Sequence, residues 1–165
     1  MRIIFLSITL LAFSCSCNNN SSASFLSGIE ISNAEIEEVK NTEEISEYIL
    51  PHFNDIDFSN ALLDDNSLAN MDELIELCIK LEKSSLNLKE IEASKELFSI
   101  QLDKTMDDAN AIGGQAQAFF NEYLETLHSL VDMTFDVQKE EEFKTGLNNI
   151  KVYLGNFYNF FPIRE

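Results

Sequence analysis

Large apolar residues recur at steps of three and four along most of this chain, the spacing of one face of an α-helix. One such stripe consists of Phe120, Tyr123, Leu124, Leu127, Leu130 and Val131, and another of Phe143, Leu147, Ile150, Leu154, Phe157 and Phe161. No stretch of useful length alternates between apolar and polar residues, so strands are not predicted. The two prolines interrupt neither stripe. This pattern predicts an all-α fold, an antiparallel helical bundle of four to five helices joined by short links.

Capping residues predict the limits of the first two helices. Ser32 is followed three residues later by Glu35, the pairing of a capping box, so a first helix is expected over residues 34–50. The proline that follows would end it, because a residue before proline is pushed out of the α region. A second helix is expected to begin after Asn70 and to stop near residues 84–85.

Asparagine and glycine predict the limits of the later helices. The third helix is expected to begin at Asn87, with Glu90 three residues on, and its stripe consists of Ile91, Phe98, Leu102, Met106 and Ala109. Gly113 and Gly114 are expected to end it, because two glycines cost about 2 kcal/mol in a helix interior. Another break is expected around residues 138–141. The two stripes named first then form the fourth and last helices.

The chain begins with an apolar run that is too short to cross a bilayer. Residues 3–13 would form a helix of about 16 Å, whereas the hydrocarbon core of a bilayer is about 30 Å thick. Arg2 and the amino terminus supply positive charge in front of this run, and small and polar residues follow it. This order is typical of the hydrophobic region of a secretory signal peptide.

The end of the apolar run resembles a relaxed bacterial lipobox. The sequence AFSC at residues 12–15 places the small residue Ser14 directly before Cys15, with Ala rather than the commoner Leu in the first position. The resemblance implies that a diacylglycerol is attached to the Cys15 sulfur, that the signal is cut before this residue, and that the new amino terminus is acylated. Cys17 is the alternative lipidation site. A secreted protein without a lipid is the other interpretation of this segment.

The resemblance to lipoproteins divides the chain into three parts. Residues 1–14 are the signal peptide, residues 15–31 the lipidated Cys with a Ser/Asn-rich tether, and residues 32–165 a single acidic helical-bundle domain. Asn and Ser bury little apolar area, so the tether is expected to be a flexible coil. Two or three acyl chains hold a protein stably in a lipid bilayer. Neither cysteine is followed by Asp, which by resemblance implies the outer membrane, on its periplasmic face or at the cell surface.

Acidic residues greatly outnumber basic residues. The sequence has 29 Asp and Glu against 11 Lys and Arg, a net charge of −18, and loss of Arg2 with the signal would make it −19. Nucleic acid and anionic membrane surfaces would repel such a chain, so neither is an expected partner. A basic protein partner fits this charge. A solvated face that keeps the domain soluble is the plainer interpretation.

Aromatic residues are concentrated near the carboxyl end of the chain. The sequence YLGNFYNFF puts five of them in nine residues, namely Tyr153, Phe157, Tyr158, Phe160 and Phe161. One helical stripe cannot hide all five. Either another element covers the surplus rings, or these side chains form an apolar contact patch for a partner.

No motif for catalysis or cofactor binding is complete. Glu125 and His128 have the Glu-x-x-His spacing of di-iron bundles, but such sites need a second pair, and His52 has no Glu three residues before it. Cys78 falls in a helical stripe, which favours a small buried hydrophobe over a nucleophile. There is no Gly-x-Ser-x-Gly and no glycine-rich phosphate loop. We therefore expect no enzyme, no catalytic residue, no metal site and no cofactor.

Two functions fit these features. The first is a membrane-anchored lipoprotein of the cell envelope whose helical domain acts as a protein-binding or structural module. The second is an immunity or inhibitor lipoprotein that neutralises a toxin or an enzyme, for which an acidic surface would speed association with a basic target. An acidic cleft at one end of the bundle would favour the second function, and a large flat apolar patch would favour the first.

Overall fold

A computed structural model of the chain describes residues 24–55, 58, 62–109, 111–112, 116–137 and 139–161. The predicted signal peptide and both candidate lipidation sites, Cys15 and Cys17, lie outside this part. The described residues form five α-helices, α1 (Asn33–Lys40), α2 (Asp65–Lys83), α3 (Leu88–Asp107), α4 (Ala116–Phe135) and α5 (Glu140–Phe160). They also form two 3-10 helices, Ser24–Leu26 and Pro51–Asp55, and two strands, β1 (Leu62–Leu63) and β2 (Ala111–Ile112). None of these helices has both the length and the apolar composition needed to cross a bilayer.

Helices α2 to α5 form a bundle in which each helix packs against two others. Helix α2 packs against α3 and α5, and α4 packs against the same two helices. The links between consecutive helices are short, which places neighbouring helices antiparallel. Helix α1 lies outside this group of four, against α2 and α5. The predicted all-α helical bundle is therefore confirmed.

The core is built largely from the predicted stripes. All twelve residues named for the fourth and last helices are buried. The prediction for α3 is correct for the first three residues of its stripe, since Ile91, Phe98 and Leu102 are buried. It is wrong at Met106, which is 37% exposed, because Thr105 takes the inward position. The hydroxyl of that threonine is satisfied there, since it donates to a backbone carbonyl one turn earlier at 2.8 Å.

The first helix is much shorter than predicted. Its start is right, since Ser32 is the N-cap and its N–H donates to the Glu35 carboxylate at 3.0 Å. Helix α1 ends at Lys40, whereas the prediction extended it by ten residues. Beyond this end, the N–H of Ser46 donates to Asn156 Oδ1 in α5 at 2.7 Å. The Ser46 N–H thus bonds to a residue 110 positions away and not to a carbonyl of its own helical turn. The local sequence contains no signal for this bond, so the end of α1 was not predicted.

The second helix begins earlier than predicted. Helix α2 starts at Asp65, and its N-cap is Asp64, whose carboxylate accepts from the Ser67 N–H at 2.8 Å. Asn70, the residue before the predicted start, lies inside the helix and is buried. Its side chain donates to Asp108 Oδ2 at 3.1 Å, so it joins α2 to the end of α3 instead of capping a helix.

A two-residue antiparallel ladder connects the chain before α2 to the link between α3 and α4. Leu62 pairs with Ile112 and Leu63 with Ala111. The prediction contains no strands, because two residues are too few to show alternation.

The flexible tether predicted for residues 15–31 extends too far towards the C-terminus. Ser24–Leu26 form a 3-10 helix, and Leu26 is buried. Three further apolar residues of this stretch are partly buried against the core, namely Phe25, Ile29 and Ile31. Burial of the apolar area of these side chains stabilises the packing of this stretch against the bundle. Asn and Ser side chains have too little apolar area to do the same. The rest of the tether, residues 15–23, lies outside the described part.

Leu127 offers a test of the core, because it lies in the centre of the α4 stripe and is fully buried. Leu127→Ala should lower the free energy of unfolding by about 2–5 kcal/mol, since it removes buried apolar groups and leaves a cavity. The melting temperature, measured by circular dichroism, should fall. His128→Ala is the matched control, because its side chain is 45% exposed and its loss should change stability little. An unchanged melting temperature for Leu127→Ala would contradict the placement of α4.

Candidate interaction surface

The aromatic cluster near the carboxyl end does not form an exposed patch. Four of its members are buried and the fifth, Phe160, is partly buried, the four being Tyr153, Phe157, Tyr158 and Phe161. Rings from three other segments surround Phe160, with centroids 6.1, 5.6 and 5.2 Å away in Phe53, Phe58 and Phe119. This corrects the alternative of a partner patch, because other elements cover the surplus rings.

The tyrosines of this cluster connect α5 to its neighbours. The rings of Tyr123 and Tyr153 stack with centroids 4.3 Å apart, and each hydroxyl donates to the backbone carbonyl of the other residue. Tyr158 donates to Asp72 in α2 at 2.5 Å. Burial raises the pKa of all three hydroxyls above its ordinary value, so they remain neutral donors. Their role is to hold helices together.

The Glu-x-x-His pair lies on the outer surface of α4. Glu125 is exposed, and Nδ1 of the partly exposed His128 is 3.4 Å from the Asp132 carboxylate. A di-iron site needs ligands that project into the bundle, so this orientation does not suit one. Within the described ranges, no three His, Cys, Asp or Glu side chains lie close enough to hold a metal ion.

Cys78 is a core residue. Its side chain is fully buried, and its Sγ is 3.5 Å from the Leu147 carbonyl oxygen. Burial raises the pKa of the thiol well above its ordinary value, so the nucleophilic thiolate does not form. The prediction of a small buried hydrophobe is confirmed.

A concentration of negative charge lies on α1 and the residues around it. We call residues 30–47 the acidic segment, which contains seven Glu and one Lys. Glu35 pairs with Lys83 at 2.5 Å, and Glu37 pairs with Lys40 at 3.3 Å. The other five are exposed and form no ion pair within the described part of the chain, namely Glu30, Glu38, Glu43, Glu44 and Glu47. This segment therefore carries uncompensated charge.

Most lysines are engaged away from the acidic segment. Eight of the nine form ion pairs, chiefly with acids of α2, α4 and α5. Lys40, the lysine of the segment itself, also binds Asp72 at 2.8 Å with a side chain only 9% exposed. Its ammonium lies 5.0 Å from the centroid of the Tyr158 ring. These contacts direct the charge of Lys40 inward, towards α2 and α5.

A buried asparagine holds the acidic segment against α5. Asn156 is 1% exposed, its Oδ1 accepts from the Ser46 N–H and its Nδ2 donates to the Glu44 carbonyl, both at 2.7 Å. The main chain between these two residues must be extended to present both groups on one edge. Gly155 permits the close approach, since a Cβ there would lie 2.2 Å from the Val39 carbonyl oxygen.

The role of Asn156 was not predicted from the sequence. One signal was present, because this polar residue interrupts an aromatic stretch of α5, and a buried Asn needs hydrogen-bond partners. Its partners lie in a segment predicted as helix, so the sequence could not supply them.

An acidic cleft lies beside this contact, between α1, α2 and α5. Its volume is about 460 Å³, and four carboxylates line it, those of Glu35, Glu38, Glu44 and Glu82. Lys151 is the one cation among the lining residues, and it binds both oxygens of Glu82, at 2.6 and 2.7 Å. The cleft therefore keeps a net negative charge.

Glu35, at the edge of this cleft, is ionised throughout the physiological pH range. Hydrogen bonds from Lys83 and Ser32 lower the pKa of Glu35 from 4.5 to about 2. Because the folded pKa lies below the ordinary one, these bonds stabilise α1 fully above about pH 4.5 and are lost as the pH falls towards 2.

Asn156→Ala tests the attachment of the acidic segment. The change leaves the Ser46 N–H and the Glu44 carbonyl without partners, so stability should fall by about 1–3 kcal/mol. Hydrogen exchange at the Ser46 amide should also become faster. Asn148→Ala is the control, because Asn148 is an exposed residue of the same helix and should affect neither measurement. Unchanged exchange at Ser46 in Asn156→Ala would show that this contact does not hold the segment.

No family model, curated protein or solved structure matches this chain. What the protein does is therefore inferred from its own residues, and the acidic segment is the most distinctive surface among those described.

Proposed function

We propose that this chain is a lipid-anchored protein of the cell envelope whose helical domain binds a protein partner with a basic surface. One observation carries the proposal, namely the acidic segment with its five exposed glutamates that form no ion pair with any described residue. Like charges placed this close repel one another, and a basic partner would relieve that repulsion. A negative surface would also attract such a partner from a distance and speed its association.

The proposed anchor is a lipid on Cys15, with Cys17 as the alternative site. It rests on the resemblance of residues 12–15 to a lipobox. Anchoring would confine the domain to the neighbourhood of the membrane and so raise its effective concentration towards partners confined there. The acidic domain itself would be repelled by anionic lipid, which leaves its surface available to proteins.

Cys15→Ala tests the anchor. The change should abolish labelling of the protein by an alkyne fatty acid and release it from the membrane fraction, because the sulfur that carries the diacylglycerol is lost. Labelling followed by fractionation of cell membranes measures both effects. Cys17→Ala is the matched variant and should leave both unchanged. If it alone abolishes labelling, the lipid is on Cys17, and if neither change matters, the protein is not a lipoprotein.

A photoreactive residue at Asn41 tests for the partner, because Asn41 lies in the acidic segment and is exposed. Irradiation of intact cells should give a protein adduct at this position. The same residue at Met133, which is 61% exposed in α4, is the control and should give less adduct. Replacing Glu38, Glu43, Glu44 and Glu47 together by Gln should reduce adduct formation by about tenfold, since electrostatic steering is lost. Equal adducts with and without these charges would contradict the proposal.

The second candidate function is that of an immunity or inhibitor lipoprotein. The acidic cleft favours it, because a cleft lined by four Glu could receive a basic side chain of a toxin or enzyme. Cells that lack the protein should then be killed when grown together with unmodified cells that release the toxin. Equal survival of the two strains in mixed culture would argue against this function and leave the first.

A further inference from the structure

Ile45 lies between the two residues that Asn156 holds. In an extended chain, the N–H and C=O of one residue point to the edge opposite to those of its neighbours. Asn156 occupies the edge of Glu44 and Ser46, so the N–H and C=O of Ile45 point to the other edge. They form no hydrogen bond with any described residue. Extended main chain with a free edge is a template for pairing with another chain.

The side chain of Ile45 is exposed at the same place. It is 68% exposed, whereas Ser46 beside it is buried. Side chains alternate between two faces along an extended chain, so the inward direction of Ser46 turns Ile45 outward. An exposed apolar side chain and two main-chain groups without a hydrogen-bond partner among the described residues therefore occur at the same position.

The charges around Ile45 determine which chemistry can pair with it. Glu43, Glu44 and Glu47 are exposed and have no ion pair within the described ranges. Lys or Arg side chains would balance them, whereas an acidic segment would be repelled.

We infer that Ile45 is the docking point for an extended segment of a partner protein. The segment pairs its main chain with Ile45, covers the Ile45 side chain with an apolar residue, and places Lys or Arg against Glu43, Glu44 and Glu47. In such strand addition, main-chain hydrogen bonds supply affinity and alternate side chains supply specificity. The inference rests on the proposed function and specifies the contact through which that function operates.

Selection from a phage-displayed library of random dodecapeptides tests this inference. The full-length chain in detergent micelles serves as the target. The enriched peptides should carry Lys or Arg on either side of an apolar residue. A synthetic copy should bind at least about tenfold more weakly to Ile45→Ser, because the central apolar contact is lost. Methylation of the main-chain nitrogens at the centre of the peptide should also weaken binding, since it removes the donors that strand pairing requires.

Ile100→Ser is the matched control. Ile100 is 58% exposed on α3, so its replacement removes another largely exposed isoleucine, on a helix that is not part of the acidic segment. This variant should bind the peptide as the parent does, and both serine variants should keep the parent melting temperature. Equal binding by Ile45→Ser and the parent, or no enrichment of basic peptides, would overturn the inference.

The same variant separates this inference from the proposed function. Suppose the Asn41 adduct forms in cells and depends on the glutamates, yet is unchanged by Ile45→Ser. The docking point is then wrong, and the proposed function stands. If instead the selected peptides need Ile45 but no adduct forms in cells, the docking chemistry is right and the proposed function fails.

Discussion

Burial of residues 152–158 of α5 on every face governs the arrangement of the other elements. Residues 152–158 are buried in unbroken succession, and a helix that buries every face must be covered all round. Helices α2 and α4 cover two faces, and α1 with the segment after it covers a third. On that third face, one small residue and one polar residue allow α1 and the segment after it to pack closely against α5. Gly155 leaves room for the backbone of α1, and Asn156 supplies the two hydrogen bonds that the extended chain beyond it needs.

The contacts with the neighbouring helices determine the conformation of the acidic segment. Helix α1 has eight residues, too few to be stable alone in water. It is held by two ion pairs to the longer helix α2, one between Glu35 and Lys83 and one between Lys40 and Asp72. Beyond α1, the segment is held through its main chain and not through its side chains. The two main-chain groups are those bound by the Asn156 side chain. The side chains of Glu43, Ile45 and Glu47 therefore remain in solvent although the backbone that carries them is fixed.

The sequence predicted the elements whose signals are local. The cap at Asn87 with Glu90 is present as expected, and the stripes of α4 and α5 are buried throughout. The end of α1 could not be predicted, because residues 41–50 contain no strong helix breaker and the competing bonds come from Asn156. The start of α2 was missed because its N-cap, Asp64, stands among several acids that look alike in the sequence. The aromatic cluster was ambiguous for a related reason, since the rings that cover Phe160 lie in distant segments.

In the acidic segment, the groups that stabilise the fold differ from the groups that we propose recognise a partner. The fold uses the main chain of residues 44–46, whereas the carboxylates around it form no ion pair with any described residue. Removing those charges would therefore break no contact that holds the segment in place, and it would reduce the repulsion between them. Lys40 shows the opposite arrangement, because its charge is buried against Asp72, and its loss would leave this partly buried carboxylate without its ion-pair partner. The free energy of unfolding should thus depend on Lys40 and Asn156, and the association rate with a basic partner on the exposed glutamates.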